Sequence, residues 1–219
     1  MPSHLNKDGM KMHQFAHEID PARTALVLIE CQKEWLAADG KLQIVIQDRP
    51  QFDSAAAGAL QLLNIAREAG ISIAHVGLRF QDGHPEMGEG GFGLRGAIKT
   101  FGTFPVNASA SEFAEGFEPK DNEFIVTGRV GGSAFSGSNL DIWLRNNGID
   151  TVILGGFALH VCIESSLRSA HDLGYYSYLA QDASAAFNAA QREHVLTDVV
   201  PHFGKALPNV EIQSNLLSK

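Results

Sequence analysis

Cysteine is scarce in this chain: Cys31 and Cys162 are the only two in 219 residues. A disulfide-built fold needs more, and a single bridge is not expected where the sequence offers no secretory leader and no apolar run long enough to cross a bilayer. Both thiols are expected to be free, in a cytoplasmic protein. Basic charge is also in deficit, with 17 Lys and Arg against 25 Asp and Glu and a formal net charge of -8. The cations are scattered rather than massed, which argues against nucleic acid as a partner and equally against a membrane. No G-x-G-x-x-G follows a strand pattern and no Walker sequence occurs; "GEGGFG" (88–93) lacks the strand and helix flanks of a phosphate loop. No cofactor is expected. Internal repeats and low-complexity tracts are missing too, so the length and the 44% hydrophobic content describe one ordinary domain with a substantial core.

What is present is alternation. Apolar runs of strand length, "TALVLIE" (24–30), "ISIAHVGLR" (71–79), "EFIVTGR" (123–129) and "DTVILGG" (150–156), alternate with segments of helical length. This is the pattern of a parallel sheet covered on both faces, so the fold class is α/β. Further strands are expected at 175–183 and 210–214, and helices at 53–69, 138–148, 162–174 and 189–203. Residues 80–104 form a long Gly-rich stretch of little periodicity, expected to be a functional or disordered loop. Its Phe80, Phe92, Phe101 and Phe104 suggest an apolar wall for a pocket. Residues 1–20 carry no clear period and are expected to be an arm or disordered, ahead of a single domain over 21–219.

The stretch "GGFALHVCIESS" (155–166) sets a cysteine between the end of an apolar strand and the start of a helix. In open α/β sheets ligands gather beyond the carboxyl ends of strands, and a helix N-terminus favours a thiolate. Cys162 is therefore placed as a nucleophile would be, although a small buried hydrophobe would suit the position equally. "TALVLIECQKEW", followed far downstream by "VTGRVGGSAFSGSNLDIWLRNNGIDTVILGGFALHVCIESSLRSAHDLGY", resembles the isochorismatase-like cysteine hydrolases, which include nicotinamidases and carbamoyl-amide hydrolases. The likeness spans about 24–214. It implies a three-layer α/β/α domain around a six-stranded, mostly parallel, Rossmann-like sheet. It also implies catalysis by an acidic residue after the first strand, a lysine after the third and a cysteine after the fourth. Carried over by position, these fall on Glu30, where the family has Asp, on Arg129, where it has Lys, and on Cys162. The resemblance further implies a cis peptide joining Phe157 to Ala158, an oxyanion hole from the N–H groups of Ala158 and Cys162, and a homodimer or homotetramer.

These residue types suit hydrolysis of a C–N bond. A thiolate attacks an amide carbonyl, N–H groups hold the oxyanion, and one acid protonates the leaving amine and then activates water. Glu30 can do that proton work, and Arg129 is expected to lower the thiol pKa as a fixed charge. Two other readings stay open: Glu30 and Arg129 as a structural ion bridge, and Arg129 as an anchor for a substrate anion. Gln32, Trp35, His84, Phe135 and Phe157 are candidate substrate contacts. A zinc or iron site of the nicotinamidase kind needs histidines that "AADGKLQIVIQDRPQF" (37–52) lacks, so no metal is expected. The expected function is a metal-free cysteine hydrolase acting on a small-molecule amide or carbamoyl compound. The alternatives are a catalytically altered binding relative and an isochorismatase-type ether hydrolase.

Overall fold

Apolar runs rich in Val, Ile and Leu become the strands β1 (Thr24–Ile29), β2 (Ser72–Val76), β3 (Phe124–Val126), β4 (Thr151–Phe157), β5 (Tyr176–Ala185) and β6 (Lys205–Leu207). In the computed structural model, which describes residues 17–217, they form one six-stranded sheet in the order β3-β2-β1-β4-β5-β6. All the pairings are parallel. The connections carry α1 (Lys33–Leu36), α2 (Arg49–Ala69), α3 (Gly93–Phe101), α4 (Leu140–Asn146), α5 (Glu164–Asp172), α6 (Ala189–His194), α7 (Val200–Phe203) and α8 (Asn209–Leu217).

The period of β1 divides the core in two. Leu26 and Leu28 face a layer holding Leu62 and Leu63 of α2 and Ile212 of α8. Ala25, Val27 and Ile29 face the opposite layer, with Leu140 and Leu144 of α4 and Leu167 of α5. The result is the expected α/β/α sandwich. Chain direction across the sheet reverses between β1 and β4, the switch point at which such folds leave a crevice. There Ile29 lies opposite Gly156. Gly156 has φ +121, and a Cβ on it would stand 2.0 Å from the Ile29 carbonyl oxygen, so only glycine lets these two strands end side by side.

The structure corrects several expected elements. Residues 210–214 are not a strand but part of α8, and the last strand lies earlier, at Lys205–Leu207. Ile212 and Leu216, at i and i+4, are buried while Val210 is exposed, which is a helical period. Asn209 fixes the start: its N–H donates to Asp182 Oδ2 at 2.8 Å and its amide to the Gly58 carbonyl at 2.8 Å. Helix α2 begins at Arg49 rather than 53, because Asp48 accepts the Gln51 N–H at 3.2 Å and Pro50 occupies the first turn, where no N–H is needed. The stretch 80–104 contains a helix, α3. The helical run over 189–203 is broken by a π-turn at Val195–Val199.

Of the expected arm, residues 1–16 lie outside the described residues. Its end is packed rather than free: His17 stacks on Tyr176 at 3.6 Å and meets Thr151 Oγ1 at 2.9 Å, and Ile19 is buried. Among the described residues, no helix is long and apolar enough to cross a membrane. Cys31 and Cys162 are both free and buried.

Candidate active site

Glu30 directly follows β1 with φ +56, a left-handed conformation that costs a non-glycine residue about 1–3 kcal/mol. Its N–H still donates to the Val76 carbonyl at 2.7 Å, so the chain leaves the sheet within one residue of its last ladder bond. The carboxylate is held at both oxygens. Arg129 Nη2 donates to Oε1 at 2.7 Å and Trp35 Nε1 donates to Oε2 at 2.8 Å. Arg129 comes from the loop after β3, and that loop folds its own carbonyls onto it: Nε donates to Gly131 O at 3.1 Å and Nη2 to Gly132 O at 2.7 Å. Glu30 is 1% exposed and Arg129 3%, so this is an interior ion pair.

Cys162 lies in a π-turn, Leu159–Ile163, between β4 and α5. The N–H groups of Val161, Cys162 and Ile163 all donate to the Ala158 carbonyl, at 3.1, 3.0 and 3.3 Å. The Phe157–Ala158 bond is cis, where the resemblance implied one. Because the Cys162 N–H already has a partner, an oxyanion there would share that donor with the Ala158 carbonyl. Ser166 Oγ donates to the Cys162 carbonyl at 2.6 Å and accepts from the Ala134 N–H at 2.8 Å, which ties the π-turn to the segment that follows Arg129.

The Cys162 thiol interacts with both Glu30 and Arg129. Burial pushes it far above the ordinary thiol range, the Glu30 carboxylate pushes it the same way, and Arg129 offsets only part of this. Arg129 acts on the thiol in the expected direction, lowering its pKa, but burial and the Glu30 carboxylate outweigh it. For Arg129 itself burial works against the charge, yet Glu30 and then Cys162 hold its pKa above the usual value.

A cavity of about 240 Å³ opens onto these groups, lined by Glu30, Trp35, Ala158 and Cys162 on one side and by Leu94 and Phe101 of α3 on another. Of the remaining expected contacts, Gln32 does not reach it. Its side-chain amide is occupied by Leu78 O at 2.9 Å, Ser111 O at 2.7 Å and the Leu78 N–H at 2.9 Å, fixing the exits of β1 and β2. Phe157 stacks on Phe52 at 4.6 Å inside the core, and Phe135 packs beside Tyr175 at 5.9 Å in the opposite layer. His84 is buried outside the lining, its Nε2 donating to the Thr103 carbonyl at 2.7 Å. Of the aromatic wall, Phe101 and Phe104 line the cavity, Phe80 is in the core, and Phe92 is 87% exposed. Phe187 and Thr103 line it unforeseen. Phe187 follows the carboxyl end of β5, a positional signal that was available; Thr103 offered none. Among the described residues, no group of three or more His, Cys, Asp or Glu side chains is arranged to hold a metal ion.

A family model described as the isochorismatase domain matches residues 24–209. An uncharacterised isochorismatase family protein of Bacillus subtilis, YwoC, is 32% identical over 192 residues, covering 86% of this chain and 91% of the relative. The ureidoacrylate amidohydrolase RutB of Stutzerimonas stutzeri is 28% identical over 174 residues, covering 74% of this chain and 70% of the relative. Among solved structures, a cysteine hydrolase from Pseudomonas syringae pv. phaseolicola has the same fold, with a TM-score of 0.77 at 22% identity over 92% of this chain and 96% of that one. The family match opens with β1 and closes beyond β6, so it takes in every strand of the sheet and Glu30, Arg129 and Cys162 with them: the chain belongs to the isochorismatase family.

Proposed function

We propose that this protein is a metal-free cysteine hydrolase that cleaves the C–N bond of a small amide or carbamoyl compound through a thioester at Cys162. The observation that carries the reading is the convergence of Cys162, Glu30 and Arg129 from three strand ends, with Cys162 and Glu30 lining one small cavity and Arg129 paired to Glu30 behind them. Because burial and the Glu30 carboxylate hold the thiol pKa up, activation is by proton transfer. Glu30 takes the Sγ proton as sulfur bonds to the carbonyl carbon, and the oxyanion faces the N–H groups of Ala158 and Cys162. Glu30 then passes that proton to the leaving nitrogen, the C–N bond breaks, and ammonia or an amine departs. Water, deprotonated by Glu30, attacks the thioester; the S–C bond breaks, the acid leaves, and the proton returns to Cys162.

Arg129 serves this cycle as a fixed charge. It stays protonated throughout, stabilises the carboxylate between steps, and takes up part of the charge on sulfur as the proton leaves. Trp35 fixes the second Glu30 oxygen, so the carboxylate cannot rotate out of reach. The family position held by lysine elsewhere is filled here by a residue that positions and does not itself transfer protons. The test is ammonia release from a panel of primary amides and ureas. The reading predicts turnover for at least one of them that vanishes in Cys162→Ala; turnover that survives in that variant would reject it.

A further inference from the structure

We propose that Thr103 is a specificity-determining contact of this cavity, and that the group it receives is a neutral, mainly hydrocarbon acyl chain carrying one hydrogen-bonding atom. The inference rests on the amide-hydrolase reading above. Thr103 is 1% exposed, and its hydroxyl is buried without a hydrogen-bond partner among the described residues. It lines the same cavity as Glu30 and Cys162. Buried hydroxyls normally find partners, and for an orphan on a residue that lines a cavity the missing partner is what enters it.

The hydroxyl is also held in place. The Thr103 N–H donates to the Ile98 carbonyl at 3.2 Å, ending α3, and the Thr103 carbonyl accepts from His84 at 2.7 Å. The next residue, Phe104, takes φ +57, and its carbonyl accepts the Phe80 N–H at 2.8 Å. His84 is anchored in turn, its own N–H on Gln81 O at 2.9 Å and its ring 5.6 Å from that of Phe80. His84 is therefore a positioning residue for Thr103 rather than a substrate contact.

Charge selects the rest of the ligand. No Lys, Arg or His side chain is among the lining residues. Arg129 is not among them; its Nε and Nη2 are held by Gly131, Gly132 and Glu30, and only its buried Nη1 is without a hydrogen-bond partner among the described residues. A carboxylate on the acyl chain would lose its water beside Glu30 and gain no counter-charge, so it is excluded. Hydrocarbon suits the remaining walls, Leu94, Phe101 and Phe104 among them. A cavity of roughly 150 Å³ holds benzene; one of about 240 Å³ admits a short chain or a ring together with its amide.

The test compares molecules of one shape. Pentanamide, its ether isosteres 2-ethoxyacetamide and 3-methoxypropanamide, and the carboxylate succinamate are assayed for ammonia release with the wild type, Thr103→Val and Thr103→Ser. We expect succinamate to fall at least 100-fold below pentanamide in kcat/KM, and one ether to exceed pentanamide at least tenfold. Thr103→Val should erase the ether's advantage and Thr103→Ser should keep it, because a site built to hydrogen-bond one atom discriminates by that atom. Succinamate turned over as well as pentanamide, or a Thr103→Val loss equal for ether and hydrocarbon, overturns the proposal. If no amide releases ammonia, the hydrolase reading fails and the same ranking is sought in calorimetric Kd values. A Thr103-dependent preference for an ether then upholds the assignment, and its absence rejects it.

Discussion

Glu30 sits in the interior with a guanidinium and an indole on its two oxygens, and removing its charge acts on three observables at once. Glu30→Gln keeps the shape but cannot carry a proton, so hydrolysis is expected to drop by two or more orders of magnitude, within the roughly 10²–10⁴ range of general acid–base groups. Burial first and Glu30 second hold the Cys162 thiol up. The same variant should therefore lower the pH at which iodoacetamide alkylates Cys162; a midpoint unmoved or raised would show that the carboxylate is not felt at sulfur. It should also lose stability, because Arg129 is left buried without its counter-charge. Leaving one partner of a buried pair in that position typically costs about 3–5 kcal/mol. Arg129→Met makes the mirror case: thermal melting should show a comparable loss, and the alkylation midpoint should rise. Much of this site was legible in the sequence. Cys162 announced itself by a strand, a Gly-Gly and a helix in close order, whereas Glu30 and Arg129 were marked only by the family resemblance. The upward push of burial on the thiol was not legible, since it depends on how far three separate segments shield one another from water. Thr103 was hidden for the same reason, being brought to the cavity by a helix that its Gly-rich surroundings concealed.

The elements that carry these residues were foreseen wherever apolar runs were long and unbroken, as in β1 and β4. They were misread where the run was short: "VEIQS" alternates like a strand, yet only its tertiary partners on α2 and the Asn209 bonds to Asp182 and Gly58 make it helical. Helix starts set by side-chain caps were missed too, as with Asp48 at α2. That cap gives a modest expectation: Asp48→Ala should cost about 1 kcal/mol, or a Tm drop of roughly 2–4 °C for a chain of this size. A far larger effect belongs to Gly156, where β1 and β4 meet. With the Ile29 carbonyl 2.0 Å from any added Cβ, Gly156→Ala must push the two central strands apart just before Phe157 and Ala158. Soluble yield and activity should both collapse, and a variant that melted like the wild type and remained active would contradict the reading of this junction.

At the scale of the molecule, the parallel sheet and its two covering layers followed from the alternation of strand and helix, because parallel strands require crossovers and crossovers require helices; the strand order did not. The charge cluster around His75 of β2 did not follow. Buried His75 of β2 meets half-buried Arg67 of α2 and Glu123 ahead of β3, with Arg67 Nε and His75 Nε2 each 2.7 Å from a Glu123 oxygen. Burial holds His75 below its ordinary pKa, with Glu123 opposing. Burial would raise Glu123, but Arg67, the Lys120 N–H and His75 outweigh it and bring the carboxyl from 4.5 down to about 2. Both groups take up protons more readily unfolded than folded, so both destabilise the protein as pH falls: His75 from about 6.5 downward, and Glu123 between 4.5 and about 2. Melting curves across that range should show the wild type declining on acidification, with its advantage over Glu123→Gln shrinking toward pH 2; a constant gap would rule the linkage out. The wall of the cavity has a different kind of consequence. Glu30, Arg129 and Cys162 are bolted to the ends of the sheet, whereas Thr103 and the α3 side chains belong to a single excursion between β2 and β3. Appetite and reactivity are thus written in separate paragraphs of the chain. A library confined to 93–104 could retrain which molecules enter while the bond-breaking groups stay as they are, and a lineage could wander among substrates by the same route.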